Sequence, residues 1–254
     1  STTSGIANVS VGTQALNFNT TASQNTAVGY QAGYTNTTGT RLSALGYKAL
    51  FDNTTGGYLT GLGWGALVSN TTGSYNTAVG DSALLSNTTA SYNTAISWQS
   101  LYSNTTGAGH VAVGTQALYS NTTATQNNAF GNDSLYSNTT GSYNVALGTS
   151  TLRSNTTAAS NVAVGYQAGY SKTTAPESTM VGYQAGYNET TGGYNAFFGM
   201  KAGFALTTGT ENTFVGRFSG SAITTGGKNS ILGKFSGNQG SLDIRTSSNY
   251  IVLS

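Results

Sequence analysis

Cysteine is absent from this chain of 254 residues, and proline and histidine occur once each. Without cysteine there is no disulfide framework, no thiolate zinc site and no thiol nucleophile. The single proline, Pro176, rules out a Pro-rich linker, and composition marks no domain boundary. Charge is nearly as scarce. Lys and Arg number 9 and Asp and Glu 7, so that 6% of residues are charged, against roughly 25% in an average soluble domain. The net charge of +2 is thinly spread. Nucleic acid calls for a dense Lys/Arg stripe that displaces counterions, so no nucleic-acid partner is expected. No stretch reaches the about 18 consecutive apolar residues of a bilayer-spanning helix, and no membrane insertion is expected.

Glycine, tyrosine and small polar residues take the place of charge. There are 35 Gly and 16 Tyr, and 37% of residues are hydrophobic. Such a polar, Gly-rich composition is compatible with disorder, but the apolar residues are regularly placed, which argues for burial. The stretch YSNTTGSYNVALGTS, residues 136–150, has close copies on both sides. A Gly follows an apolar residue at 12, 29, 46, 63, 80, 114, 131, 148, 165, 182, 199, 216 and 233, with Ser97 completing the series. The step is 17 residues throughout, which makes 14 copies of the phrase NTAVGYQALYSNTTGSY. A fixed period held over so many copies identifies a repeat architecture.

Seventeen residues are too few for a helix pair and its turns. They suit one coil of a β-solenoid, with two or three short strands, stacked on the next coil at about 4.8 Å. Equivalent residues then form ladders along the stack. The residue before each marker is apolar, as at Val28, Leu45, Val79 and Leu232, and the third after it is small, as at Ala32, Ala49 and Ser236. Asn stands four before the marker in most coils, for example Asn25, Asn76 and Asn144, and Thr-Thr recurs between markers. Stacked Asn and Thr can hydrogen-bond from coil to coil, so each copy templates the next. The expected fold is all-β, a single parallel β-solenoid over residues 1–240, more regular over 1–160 and more varied over 161–240. Residues 241–254 are expected to lead out of the repeat.

Two columns change together. Leu dominates four residues after the marker up to Leu152, and Gly takes that place at 169, 186, 203, 220 and 237. Two residues before the marker, Ala gives way to Met180, Phe197, Phe214 and Ile231. Large replaces small where large was lost, as packing at fixed volume requires. The two columns are expected to meet in one buried layer, within a chain or between chains. The strand NTAVG is also apolar or small on both faces, and such a strand is normally covered on both sides.

NTAVGYQA and its variants resemble the repeats in the heads of YadA-like trimeric autotransporter adhesins. They are still more similar to the repeats of phage tail fibres that end in an intramolecular chaperone domain, where such phrases lead to a segment like SNYIVLS, here residues 248–254. The resemblance covers essentially the whole chain. It implies a parallel homotrimer of left-handed β-rolls in a virion tail fibre, acting as shaft and in host attachment. It also implies cleavage after a Ser, so that Ser254 is either such a point or an arbitrary boundary. The adhesin-head coil is shorter, and these 254 residues include no chaperone domain. Both ends fall inside the pattern, whereas solenoid ends are normally capped, so further fibre segments are expected as partners. The alternatives are a bacterial surface adhesin or glycosylated extracellular filament and, third, an ice-binding solenoid.

Little chemistry is on offer. His110 stands in the mostly-Asn column and most simply replaces a ladder hydrogen bond, since a general base also needs a positioned partner. Glu177 and Glu211 share a column two coils apart with Tyr194 between them, about 9.6 Å by strand spacing, at the outer edge of inverting-glycosidase geometry. No catalysis, metal or cofactor is expected. Nine Asn-Thr-Thr sequons, at Asn19, Asn36, Asn53, Asn70, Asn87, Asn104, Asn121, Asn138 and Asn155, are formal glycosylation sites, although Asn, Thr and Gly also suit the corners of such coils. Adjacent strand residues face opposite sides, so only one Thr of each Thr-Thr pair could lie on an ice-binding face. Eleven of the 16 charged residues lie from Arg153 onward. Arg217 and Lys234 share one column, and Phe218 and Phe235 the next. With Met200 these are the candidate contacts for a host glycan or protein, against the plainer reading of a solvated rim.

Overall fold

The computed structural model describes residues 5–254, and no helix occurs among them. The chain divides into two compact units at Asn127 and Asn128. The first holds β1 (Val9–Val11), β2 (Thr26–Val28), β3 (Leu42–Leu45), β4 (Leu59–Leu62), β5 (Thr77–Val79), β6 (Thr94–Ile96) and β7 (Val111–Val113). Each pairs parallel with the next in the 17-residue register, for example Val9 with Thr26 and Thr77 with Thr94. The second unit begins with β8 (Asn128–Phe130), β9 (Val145–Leu147), β10 (Val162–Val164) and β11 (Thr179–Val181). It continues with β12 (Ala196–Phe198), β13 (Thr213–Val215) and β14 (Ser230–Leu232), paired in the same way. The repeat is therefore a parallel β-solenoid, as its period predicts.

Each coil carries one strand of three or four residues, not two or three. The reason is backbone conformation. The marker Gly residues hold φ between 119° and 140°, and left-handed φ recurs at non-Gly residues two and four after the marker and five before it, as at Gln31, Leu50 and Tyr58. An extended run cannot pass through such residues. The turns still pass hydrogen bonds to neighbouring coils: Leu50 N–H donates to Ala66 O at 3.0 Å and Thr54 N–H to Thr71 O at 2.9 Å. Marker positions need Gly for a second reason as well. A Cβ on Gly29 would lie 2.3 Å from the carbonyl oxygen of Gly46 in the next coil. Ser97 alone carries a side chain there, at φ 109°.

The middle residue of the three-residue strands β2 and β5 to β14 points inward. Ala27, Ala78 and Ala146 are buried, as are Met180, Phe197, Phe214 and Ile231. Leu four residues after the marker fills the same layer and is buried at Leu50, Leu84 and Leu152. The exchange expected between these columns is found within one chain. A Cβ on Gly203 would lie 2.8 Å from the Phe197 ring, and one on Gly220 would lie 2.5 Å from the Phe214 ring. Met180 occupies the space beside Gly169 and Gly186 in the same way. Phe197 and Phe214 stack with centroids 5.2 Å apart.

Residues 241–254 do more than leave the repeat. After a short antiparallel hairpin, β15 (Asn238–Gln239) with β16 (Leu242–Asp243), the chain returns as β17 (Ile251–Leu253), parallel to β14. The offset is 21 residues, with Tyr250 N–H donating to Asn229 Oδ1. The hairpin thus accommodates four extra residues before the ladder resumes.

Candidate functional site

The other half of the interior is polar. The nine sequon asparagines are all buried. Asn53 Nδ2 donates to Asn36 Oδ1 at 2.9 Å and to Gly56 O at 2.9 Å, and Asn70 repeats this one coil on. In the second unit Asn155 Nδ2 donates to Asn138 Oδ1 and Ala158 O. Such an amide has both hydrogens in use inside the coil, so the candidate glycosylation sites present no Nδ2 to an attached glycan. The adjacent Thr hydroxyl is also engaged, Thr54 Oγ1 donating to Thr71 O at 3.0 Å, while the following Thr55 is exposed. Exposed Thr therefore recurs from coil to coil in this turn column, and Thr26 and Thr213 are exposed on the strands as well.

The Asn four before the marker forms a second buried ladder. Asn76 Nδ2 donates to Ala90 O at 2.7 Å, and its Oδ1 accepts from Asn93 N–H at 2.9 Å. His110 reproduces both halves of this role. Nε2 lies 2.7 Å from Ala124 O, and Nδ1 accepts from Asn127 N–H at 3.1 Å. That pattern assigns the proton to Nε2 of a neutral ring. Burial pushes the His110 pKa down, opposed by the backbone contacts at Ala124 and Asn127. Glu177 and Glu211 are exposed on the surface, with Tyr194 between them.

Opposite charges 17 residues apart in the sequon column were a signal that sequence reasoning passed over. Lys172 and Glu189 replace two ladder asparagines and are fully buried, with Nζ 2.7 Å from Oε1. Lys172 also donates to Ser178 Oγ at 3.1 Å and Gly192 O at 2.8 Å, which uses all three hydrogens. Burial pushes its ammonium pKa down, and the Glu189 carboxylate opposes this. The exchange leaves Asn155 Oδ1 and Glu189 Oε2 without partners, because lysine brings no amide to donate back to Asn155. Leu206 and Ile223, both buried, then continue the column as an apolar one.

The outer face of the strands carries an apolar column beside a mostly polar one of Thr, Ser and Asn. The residue before each marker is exposed or half-buried in every coil: in the first unit Leu45 and Ile96 are exposed, and in the second Phe130, Leu147, Phe198 and Leu232. Over β13, β14 and β17 this face forms a groove of about 240 Å³ whose lining includes Val215, Leu232, Ile251 and Leu253, the last 77% exposed. Beside the face, aromatic rings stack from coil to coil. Tyr58, Tyr75 and Tyr92 lie 4.7 and 5.1 Å apart, and Tyr170, Tyr187 and Phe204 lie 5.1 and 5.4 Å apart. Their faces cover one another, so the ladders show mainly edges to solvent.

The candidate contact residues are only partly brought together. Arg217 and Lys234 are exposed, as is Met200, and the Arg217 guanidinium lies 4.7 Å from the ring centroid of half-buried Phe218. Phe235 is different. It is 5% exposed and lies in the core, and its N–H donates to Ser254 Oγ at 3.0 Å. The coil after Gly233 departs from the 17-residue phase to enter the hairpin, so Phe235 does not stack beside Phe218. No protein-family model, curated protein or solved structure matches the chain.

Proposed function

We propose that the chain is a structural and adhesive fibre segment, a parallel homotrimer within a phage tail fibre. The observation that carries this reading is the outward apolar stripe. Single exposed apolar residues need no explanation, but a contiguous apolar band marks an interaction surface. In this chain the band recurs coil after coil in both units, on the face that a lone solenoid leaves to water. A second and third copy would cover it. The threefold order and the tail-fibre setting rest on the resemblance of the repeated phrase.

Regular ladders present the same groups in every coil and suit a shaft. Discrimination of a partner needs particular anchors, and these gather late in the chain at Met200, Arg217, Phe218 and Lys234. With Phe235 in the core, the contact patch consists of those four. A glycosylated filament is not favoured, since the sequon amides face inward. An ice-binding face is not favoured either, because the outward strand column of Thr26, Thr60, Thr77, Thr94, Thr179 and Thr213 is interrupted by Ser43, Val111, Asn128, Val145, Val162 and Ala196, which leaves no regular Thr array. The test is attachment to host cells. Arg217→Ala combined with Lys234→Ala should weaken it about tenfold while the assembly mass stays unchanged. Undiminished attachment by this variant would leave the segment a shaft without a receptor contact.

A further inference from the structure

The residues that directly follow Gly63, Gly80 and Ser97 are Trp64, Asp81 and Trp98, one above another in three successive coils of the first unit. Trp64 is 53% exposed and Trp98 46%, and Asp81 is exposed between them. Trp64 lies flat on Tyr47, with centroids 6.0 Å apart and planes 3° from parallel. The opposite face of that indole is turned toward the coil of Asp81. An aromatic residue at 81 would close the stack, as Tyr47 does between Tyr30 and Trp64. Aspartate is too short to do so and leaves a slot. Two strand spacings separate the tryptophan coils by about 9.6 Å. A group centred in the slot therefore lies about 4.8 Å from each coil's level, inside the roughly 6 Å reach of a cation over an aromatic face.

The charges define what fits. An indole face is electronegative, and tryptophan binds cations best among the aromatic residues. Elsewhere the chain supplies such cations itself: Arg41 over Tyr58 at 4.7 Å, Arg153 over Tyr136 at 4.9 Å and Lys201 over Phe204 at 5.0 Å. Between the two indoles it places a carboxylate. Among the described residues no ion pair involves Asp81, whose Oδ1 accepts a hydrogen bond from Ser82 Oγ at 2.6 Å. An anion one coil from the open Trp64 face and one coil from Trp98, without a counterion, is an arrangement that a bound cation would stabilise.

We propose that Trp64, Asp81 and Trp98 form a binding site for an organic ammonium group, held between the indole faces and neutralised by the carboxylate. The site lies within one chain and does not rest on the fibre reading. Two sources offer this chemistry, a quaternary ammonium of the choline type and the primary ammonium of an amino sugar. Trp64 and Trp98 are the only tryptophans in the chain, so intrinsic indole fluorescence reports on this site alone. The protein as purified is titrated with choline, with glucosamine, and with the uncharged isostere of choline in which carbon replaces nitrogen. The site predicts a saturable change with an ammonium compound and none with the isostere. The tighter of choline and glucosamine identifies the source. Asp81→Asn, an exposed substitution, should raise the midpoint about tenfold with an unchanged circular dichroism spectrum. A flat response to both ammonium compounds would overturn the proposal. So would an equal response to the isostere, or a midpoint indifferent to Asp81→Asn.

Discussion

His110 shows how narrowly a single position in these ladders is specified. The column asks for one acceptor and one donor at fixed places, and a neutral imidazole with its proton on Nε2 supplies both. Protonation would set an Nδ1–H against the Asn127 N–H. The folded-state pKa is depressed below the ordinary 6.5, first by burial, so the unfolded chain takes up the proton first. The contribution of neutral His110 is complete above about pH 6.5 and is lost as pH falls through that value toward the lower folded pKa. Denaturant midpoints at pH 7.5 and pH 5 should therefore differ, by about 1–3 kcal/mol if the full cost of an unmet buried pair is felt. His110→Asn, which restores the usual amide, should remove that part of the pH dependence. An unchanged pH dependence in the variant would contradict this role. Lys172 and Glu189 break the same kind of ladder differently. Their ion pair occurs once, so it distinguishes one coil from the near-identical rest. Buried polar groups that fix register elsewhere offer the precedent.

At the level of the coil, period and packing exchange were legible in the sequence because identical coils turn a local pattern into a long-range contact. Gly203 with Phe197 and Gly220 with Phe214 could be paired by column alone. The facing of each column was not legible. Alternation predicts direction only within extended backbone, and here left-handed residues such as Gln31, Leu50 and Tyr58 interrupt it. The sequon asparagines accordingly read as corner residues in a ladder with no side assigned, and the ladder lies in the core. Phe235 was misplaced for another reason: counting by 17 fails where the hairpin adds residues before β17. The packing exchange is open to a double-mutant cycle. Phe214→Ala alone should cost about 3–5 kcal/mol. Gly220→Leu alone should destabilise through overlap with the Phe214 ring. Leucine is sterically accepted at this backbone position, since Leu50, Leu67 and Leu152 hold φ of 56°, 55° and 49° there. The double variant recreates the Ala/Leu pairing of earlier coils, so it should be more stable than the sum of the single losses by about 1–3 kcal/mol. Additive losses in thermal or denaturant unfolding would show that the two positions do not share one layer.

At the level of the whole molecule, the chain satisfies its interior except at Asn155 Oδ1 and Glu189 Oε2 and leaves its strand face wanting. Alanine, leucine and asparagine ladders close each coil on the next, while Leu45, Ile96, Leu147, Phe198 and Leu232 stand outward. The fibre reading assigns that face to copies of the same chain, and the native mass tests this most directly. Light scattering of the purified protein should give three times the 25.9 kDa chain mass, unchanged on dilution through the micromolar range. Leu147→Lys with Phe198→Lys places charges on the face without touching the interior, and should lower the mass toward one chain. A stable, folded wild-type monomer at 25.9 kDa, with the apolar stripe left in water, would contradict the account.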